Sequence, residues 1–136
     1  MTSAEKRIQL ARYRMLQADE SLDEAFFLLQ GGRSLRAVVN RAYYAMFYAV
    51  LALLIFEPFA SSKHSSCISY FHQEFIKTAV FPQSMGKALS KAFELRQGGD
   101  YKEFFTPSQE EAESLLHEAE IFTGNIREFL REREQV

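Results

Sequence analysis

The segment from Asn40 to Phe56, NRAYYAMFYAVLALLIF, is the most informative part of the sequence, because its last fifteen residues carry no charge. Spanning a bilayer takes about 20 apolar residues, so the run is short by more than a turn, and it also contains three tyrosines. Its composition suits a helix that other helices surround on all sides. We therefore predict a central helix from Ser34 to Ile55 in an all-α domain.

Apolar residues recur at helical spacing on both sides of this central helix and predict four further helices. These helices are expected over Ala4–Gln30, Lys63–Thr78, Ser84–Gln97 and from Pro107 to about Arg133. Gly31-Gly32 ends the first, and Gly98-Gly99 is expected to end the fourth as a C-terminal cap. For the last helix we predict Thr106 as the N-cap, with Pro107 at the first helical position and Gln109 three residues after the cap.

The composition fits one domain over residues 1–136, folded as a five-helix up-and-down bundle. The formal charge of -2 argues against the strongly basic surface of non-specific nucleic-acid binders. Cys67 is the only cysteine, so no intramolecular disulfide can form, and the N-terminus lacks the apolar stretch of a secretory signal. We predict a cytoplasmic protein that does not span a membrane.

Arg41 enters the apolar run and should share a helix face with Tyr44 and Tyr48, because Arg41 and Tyr48 lie about two turns apart. A charge in this position needs a partner. The candidate carboxylates are Asp19, Asp23, Glu24 and Asp100. Two interpretations stay open, a buried arginine–carboxylate pair with a purely structural role and a functional site.

Three short motifs follow one another in order along nearly the whole chain. They are RAYYAMF from Arg41 to Phe47, Lys63-His64-Ser65-Ser66 at the start of the third helix, and Arg96 with Asp100-Tyr101 after the fourth. Together they resemble the HEPN family, in the branch of small bacterial and archaeal proteins where the first motif is often followed by histidine.

The resemblance implies a helical bundle that forms a homodimer and is often encoded beside a minimal nucleotidyltransferase, in a toxin–antitoxin-like pair. Active members resemble metal-independent ribonucleases, in which an arginine and a histidine, four to six residues apart, meet at the dimer cleft. Arg41 matches the arginine. The positions that this spacing allows for the histidine hold Met46, Phe47 and Tyr48 instead.

The missing histidine predicts weak or absent nuclease activity. RNA cleavage without a metal needs a general base, and a phenol, whose ordinary pKa is about 10, is a poorer base at neutral pH than an imidazole. His64 is the best substitute for the missing histidine. His72 is expected at the edge of the core, and His117 is expected among glutamates on the last helix. The predicted catalytic residues are Arg41, Tyr48 and His64, and the predicted binding residues are Asn40, Tyr44, Arg96, Asp100 and Tyr101.

Three functions remain open at this point. The first is a homodimeric interaction domain with a nucleotidyltransferase partner and with its own catalysis reduced or lost. The second is a ribonuclease toxin that uses Arg41 to cleave RNA, and the third is a bundle that binds a nucleotide or another small ligand. No metal and no cofactor is expected, since no histidine pair has zinc-ligand spacing and the acids are dispersed.

Overall fold

The structure is a computed structural model that describes residues 1–101 and 106–136, with side chains described for 1–98 and 106–136. Its described residues form five α-helices and one π-helical turn. The helices are α1 (Ser3–Gln30), α2 (Leu35–Leu54), α3 (His64–Phe71), α4 (Gln83–Tyr101) and α5 (Gln109–Glu132). The π-helical turn, His72–Ile76, continues α3 directly. This is the all-α bundle that the sequence predicts.

The central helix α2 forms the core, as predicted, and packs against α1, α3, α4 and α5. Its buried residues are Val38, Val39, Ala42, Tyr43, Ala45, Met46, Phe47, Ala49, Val50, Ala52, Leu53 and Leu54. By length and composition alone α2 could cross a membrane, but 67% of its most apolar window is buried inside the bundle. The core helix of a soluble protein passes the same test, and most of this window packs against the other helices.

The hairpin of α1 and α2 is the most extensive helix pair in the bundle. Gly32 adopts a φ of +64°, in the left-handed region where a side chain is disfavoured, and this lets the chain reverse within four residues. Ser34 then caps α2 by accepting a hydrogen bond from the Ala37 N–H. The reversal brings the end of α1 beside the start of α2.

The third predicted helix, Lys63–Thr78, is helical but changes type along its length. After Phe71 the backbone widens, and the Lys77 N–H donates to the His72 carbonyl at 2.9 Å across five residues. Such π-helical turns insert one residue into a helix and often mark functional sites. Ala79, which follows, has a positive φ of 61°.

Two predicted helix boundaries are wrong. Helix α4 continues through Gly98-Gly99 to Tyr101, so the glycine pair does not end it. Helix α5 is capped by Ser108 and not by Thr106: the Ser108 hydroxyl accepts from the Glu111 N–H at 3.0 Å, and the Glu111 carboxylate accepts from the Ser108 N–H at 2.9 Å. These two bonds form a complete capping box two residues later than predicted.

Candidate functional site

A partly open stripe runs along the otherwise buried helix α2. Asn40, Arg41, Tyr44 and Tyr48 are half-buried, whereas Tyr43 and the alanines around them are fully buried. These positions recur every three or four residues and therefore lie on one face. The predicted common face of Arg41, Tyr44 and Tyr48 is confirmed.

The Arg41 guanidinium lies at one end of this stripe and has three partners among the described residues. Its Nε and Nη2 donate to Asn40 Oδ1 at 3.2 and 2.8 Å, and its Nη1 lies 3.6 Å from Glu24 Oε2. The guanidinium carbon also lies 5.2 Å from the centre of the Tyr44 ring, at cation–π distance. Arg41 is held in place by these groups but remains 29% exposed.

Among the predicted candidates whose side chains the structure describes, Glu24 is the carboxylate partner of Arg41. Asp19 pairs with Arg127 of α5, Asp23 is exposed, and the side chain of Asp100 lies outside the described residues. The Arg41–Glu24 pair is not a buried one, because the Glu24 side chain is 55% exposed. An ion pair this exposed leaves the guanidinium accessible to a ligand.

Three arginines converge on a cleft of about 400 Å³ next to Arg41, which we call the arginine cleft. Its lining residues are Leu28, Arg36, Ala37, Asn40, Arg41, Leu95 and Arg96. Residues from α1, α2 and α4 thus contribute to one opening. Guanidinium groups bind phosphate and carboxylate well because their planar N–H donors match paired oxygens.

Beneath the stripe, the Tyr43 hydroxyl is hydrogen-bonded in the core. Tyr43 is fully buried, and its Oη lies 2.9 Å from Nδ1 of His64, the first residue of α3. The Arg96 guanidinium carbon lies 5.2 Å from the Tyr43 ring centre and 5.4 Å from that of Tyr44. Burial raises the pKa of the Tyr43 phenol, and the neighbouring Arg96 charge opposes that rise.

The His64 imidazole stacks on Phe47 with ring centres 4.0 Å apart and meets the Tyr44 ring edge-on at 5.7 Å. Burial lowers its pKa below the ordinary histidine value, and the positive charge of Arg96 lowers it further. Both effects favour the neutral form of His64. The neutral form can exchange a hydrogen bond with Tyr43 in either tautomer.

Tyr44 brings the predicted catalytic residues together. Its ring contacts the Arg41 guanidinium, the His64 imidazole and the Tyr48 ring, whose centre lies 5.9 Å away. Arg41, Tyr48 and His64 are thus arranged around one aromatic side chain, although their catalytic roles remain predictions.

The remaining predicted site residues fall in different places. Asn40 and Arg96 line the arginine cleft, but the side chains of Asp100 and Tyr101 lie outside the described residues. His72 is half-buried at the edge of the core, as expected, and His117 is exposed. Within the side chains that the structure describes, no three His, Cys, Asp or Glu groups are close enough to hold a metal ion.

Sequence reasoning missed Tyr43 and Phe47 as parts of the site. A buried tyrosine hydroxyl generally requires a hydrogen-bond partner, so a fully buried Tyr43 calls for a polar group from another helix. The chain has only three histidines. The need of the Tyr43 hydroxyl for a partner therefore pointed to one of these histidines among other polar groups. Which helix faces Tyr43 follows only from the packing.

Comparison with known proteins gives a consistent result. The HEPN domain family matches residues 11–129. The chain is 38% identical over 132 residues to a "UPF0332 protein" of Thermotoga maritima, covering 97% of each chain. It is 35% identical over 115 residues to "Putative toxin MJ0605" of Methanocaldococcus jannaschii, covering 85% of this chain and 84% of that one. It is also 35% identical over 126 residues to "Putative toxin MJ0142" of the same organism, covering 93% of this chain and 80% of that one.

Proposed function

Because this chain belongs to the HEPN family, we propose that it is the toxin-type member of a toxin–antitoxin-like pair, with a nucleotidyltransferase as its partner. In this proposal the protein acts chiefly by binding, and its own catalysis is reduced or lost. The two relatives named as toxins support the toxin-type role. The chemistry of the Arg41 stripe supports the loss of catalysis.

One observation carries the proposal: Arg41 is present and accessible, but the residue two turns away on the same face is Tyr48. An imidazole near neutral pH can both take and give a proton, which cleavage of RNA without a metal requires. A phenol at that position can donate a hydrogen bond but is a weak base. The stripe can therefore hold a phosphate without efficiently activating the 2′-hydroxyl.

His64 does not replace the absent imidazole in this proposal. Its Nδ1 faces Tyr43, and one ring face is covered by Phe47. Its lowered pKa also makes it a weaker base than an ordinary histidine. It serves better as a structural partner of Tyr43 than as a proton acceptor for a ligand at Arg41.

The direct test is RNA cleavage by the purified protein in EDTA, compared with Tyr48→His, Arg41→Ala and the combination of both changes. We expect little cleavage by the natural protein and a gain in Tyr48→His that disappears when Arg41 is also replaced. Arg41-dependent cleavage by the natural protein would contradict the loss of catalysis. The same experiment measures a ribonuclease function directly.

A homodimer is part of the proposal, and the surface of α1 supports it. Tyr13, Leu16 and Phe27 lie on one face of α1 and are 54%, 52% and 75% exposed. Large exposed apolar side chains that share a face are typical of interaction surfaces. Leu28, the residue after Phe27, lines the arginine cleft. Sedimentation as a monomer at micromolar concentration would contradict the dimer.

A second candidate function, binding of a nucleotide or another small anionic ligand, is favoured by the three guanidinium groups of the arginine cleft. A ligand that binds only the folded state raises the melting temperature by mass action. We expect nucleotides to stabilise the natural protein and not Arg41→Ala. Equal stabilisation of both proteins would place the ligand elsewhere.

A further inference from the structure

A second cleft lies on the other side of α4 and has a volume of about 1120 Å³, slightly above the range of typical ligand pockets. It is formed by α3, the π-helical turn, the residue that follows that turn, and the part of α4 from Gln83 to Glu94. We call it the lysine cleft, after Lys77, Lys87 and Lys91 at its rim. Lys87 and Arg96 are nine residues apart on α4, which turns them roughly 180° from each other. The lysine cleft is therefore separate from the arginine cleft.

The rim of the lysine cleft is positive although the chain as a whole is acidic. Lys77, Lys87 and Lys91 are exposed, and Glu94 is the only acidic side chain among the residues that line the cleft. Lys87 and Lys91 are four residues apart and so project from neighbouring turns of one helix face. Glu111 lies close enough to feel the charge of Lys91, but its carboxylate is already held by the Ser108 N–H. The rim therefore suits an anion with more than one charged group.

The floor of the lysine cleft carries a neutral hydrogen-bonding pair. Nε2 of His72 lies 3.1 Å from the Ser90 hydroxyl, and both side chains are half-buried. Burial lowers the pKa of His72 and so favours the neutral ring. Ile68 and Ile76 form apolar walls beside it. Neutral polar groups between apolar walls are complementary to a flat ligand with a polar edge.

Gly86 lets α4 pack closely against the edge of the His72 ring. A Cβ at position 86 would lie 3.0 Å from Cε1 and 3.1 Å from Nδ1 of His72, closer than side chains normally approach. Glycine inside a helix is unfavourable, so its presence at this contact needs a reason. The π-helical turn begins at His72 itself and re-aims the side chains of this segment.

From these features we infer that the lysine cleft binds a short segment of single-stranded RNA, with phosphates at Lys87 and Lys91 and one base between the isoleucines, reaching His72 and Ser90. An acidic protein segment would use the lysines equally well but would have no use for the neutral floor. The inference goes beyond the proposed function: it gives the toxin-type domain an RNA contact that does not depend on Arg41.

The first test is fluorescence anisotropy with a labelled single-stranded RNA of about 12 nucleotides, at several salt concentrations. Lys87→Gln/Lys91→Gln should weaken binding about tenfold and reduce the slope of log affinity against log salt by about 1.4, since each lost phosphate contact on a single strand contributes about 0.7. The matched control is Lys6→Gln/Arg12→Gln, which removes the same charge from exposed positions on α1. Equal losses in the two double variants would overturn the inference.

The second test separates RNA from other anions. Gly86→Ala pushes the His72 ring from its position and should weaken RNA binding several-fold while leaving the binding of inorganic polyphosphate, which needs only the lysines, unchanged. Polyglutamate that binds as tightly as RNA, with the same dependence on Lys87 and Lys91, would identify an acidic protein as the occupant and refute the RNA site. Arg41→Ala should retain the lysine-dependent part of RNA binding, so failure of the proposed function and failure of this inference give different results.

Discussion

The hydroxyl of Tyr43 and Nδ1 of His64, 2.9 Å apart, form the hydrogen bond that joins the centre of α2 to the start of α3. Tyr43 has no exposed surface, so its hydroxyl cannot exchange this partner for water. The bond also holds the His64 ring against Phe47. It therefore positions α3, and with α3 one wall of the lysine cleft.

Replacing Tyr43 with phenylalanine should lower the free energy of unfolding by about 1–3 kcal/mol, because the His64 nitrogen then stays half-buried without its partner. Urea unfolding followed by circular dichroism measures the change. Tyr13→Phe, at a position that is 54% exposed, is the matched control and should leave the free energy of unfolding unchanged. Equal effects of the two substitutions would mean that the Tyr43 hydroxyl contributes nothing in the core.

The stability of the protein should fall as the pH drops from about 7.5 to about 5.5. Burial lowers the pKa of His64 and of His72, so near the ordinary histidine pKa of about 6.5 the unfolded chain binds more protons than the folded one. The contribution of both groups is fully present above that pKa and is lost as the pH falls through their lower folded values.

Urea unfolding at each pH measures this dependence, and His64→Gln or His72→Gln should make the curve flatter. His117→Gln is the control, since His117 is exposed on α5. A pH dependence that survives the combined replacement of His64 and His72 would show that other groups cause it.

Arg41 should matter little for stability although it lies in the most apolar helix. Its pair with Glu24 is only partly buried, with the Glu24 side chain 55% exposed, and ion pairs open to solvent contribute about 0–1 kcal/mol. We therefore expect Glu24→Gln and Arg41→Ala each to change the free energy of unfolding by less than about 1 kcal/mol. A loss several times larger in Arg41→Ala would restore the interpretation of a buried structural pair.

The bundle could be predicted from sequence because most of α2 lies in the uncharged run from Ala42 to Phe56, and because the other helices repeat their apolar residues at helical spacing. The possible partners of Arg41 could be narrowed to four carboxylates, since a charge in such a helix needs a partner. The selection of Glu24 depends on how α1 is rotated against α2, which the sequence does not specify. The π-helical turn has no comparable signal. Its wide hydrogen bond, from Lys77 to His72, appears only in the folded backbone.

The missed boundaries have a physical explanation. A glycine in a helix costs about 1 kcal/mol relative to alanine, so Gly98-Gly99 favours a helix end locally, but α4 continues past the pair and Gly98 is buried. At α5 two overlapping signals competed, Thr106-Pro107 and Ser108 with Glu111. The pair of Ser108 and Glu111 satisfies two backbone N–H groups at once. Pro107, just before Ser108, is buried.

Ser108→Ala should therefore destabilise the protein by about 1 kcal/mol, the usual loss for an N-cap hydroxyl, whereas Thr106→Ala should have almost no effect. Thermal unfolding of the two variants under the same conditions compares them directly, since both residues are exposed and change little else. A larger loss of stability in Thr106→Ala than in Ser108→Ala would show that Thr106 is the N-cap.

Phe27 and Phe122 provide the sharpest contrast between surface and core. Phe122→Ala, in a position 1% exposed, should cost about 3–5 kcal/mol through lost burial and the cavity left behind. Phe27→Ala, 75% exposed, should leave the monomer's stability almost unchanged but should weaken self-association if the exposed face of α1 forms the dimer. Sedimentation velocity over a concentration series, together with urea unfolding, separates the two effects. A Phe27→Ala variant that associates as strongly as the natural protein would remove Phe27 from the interface, and a destabilised one would show that Phe27 packs against the bundle in solution.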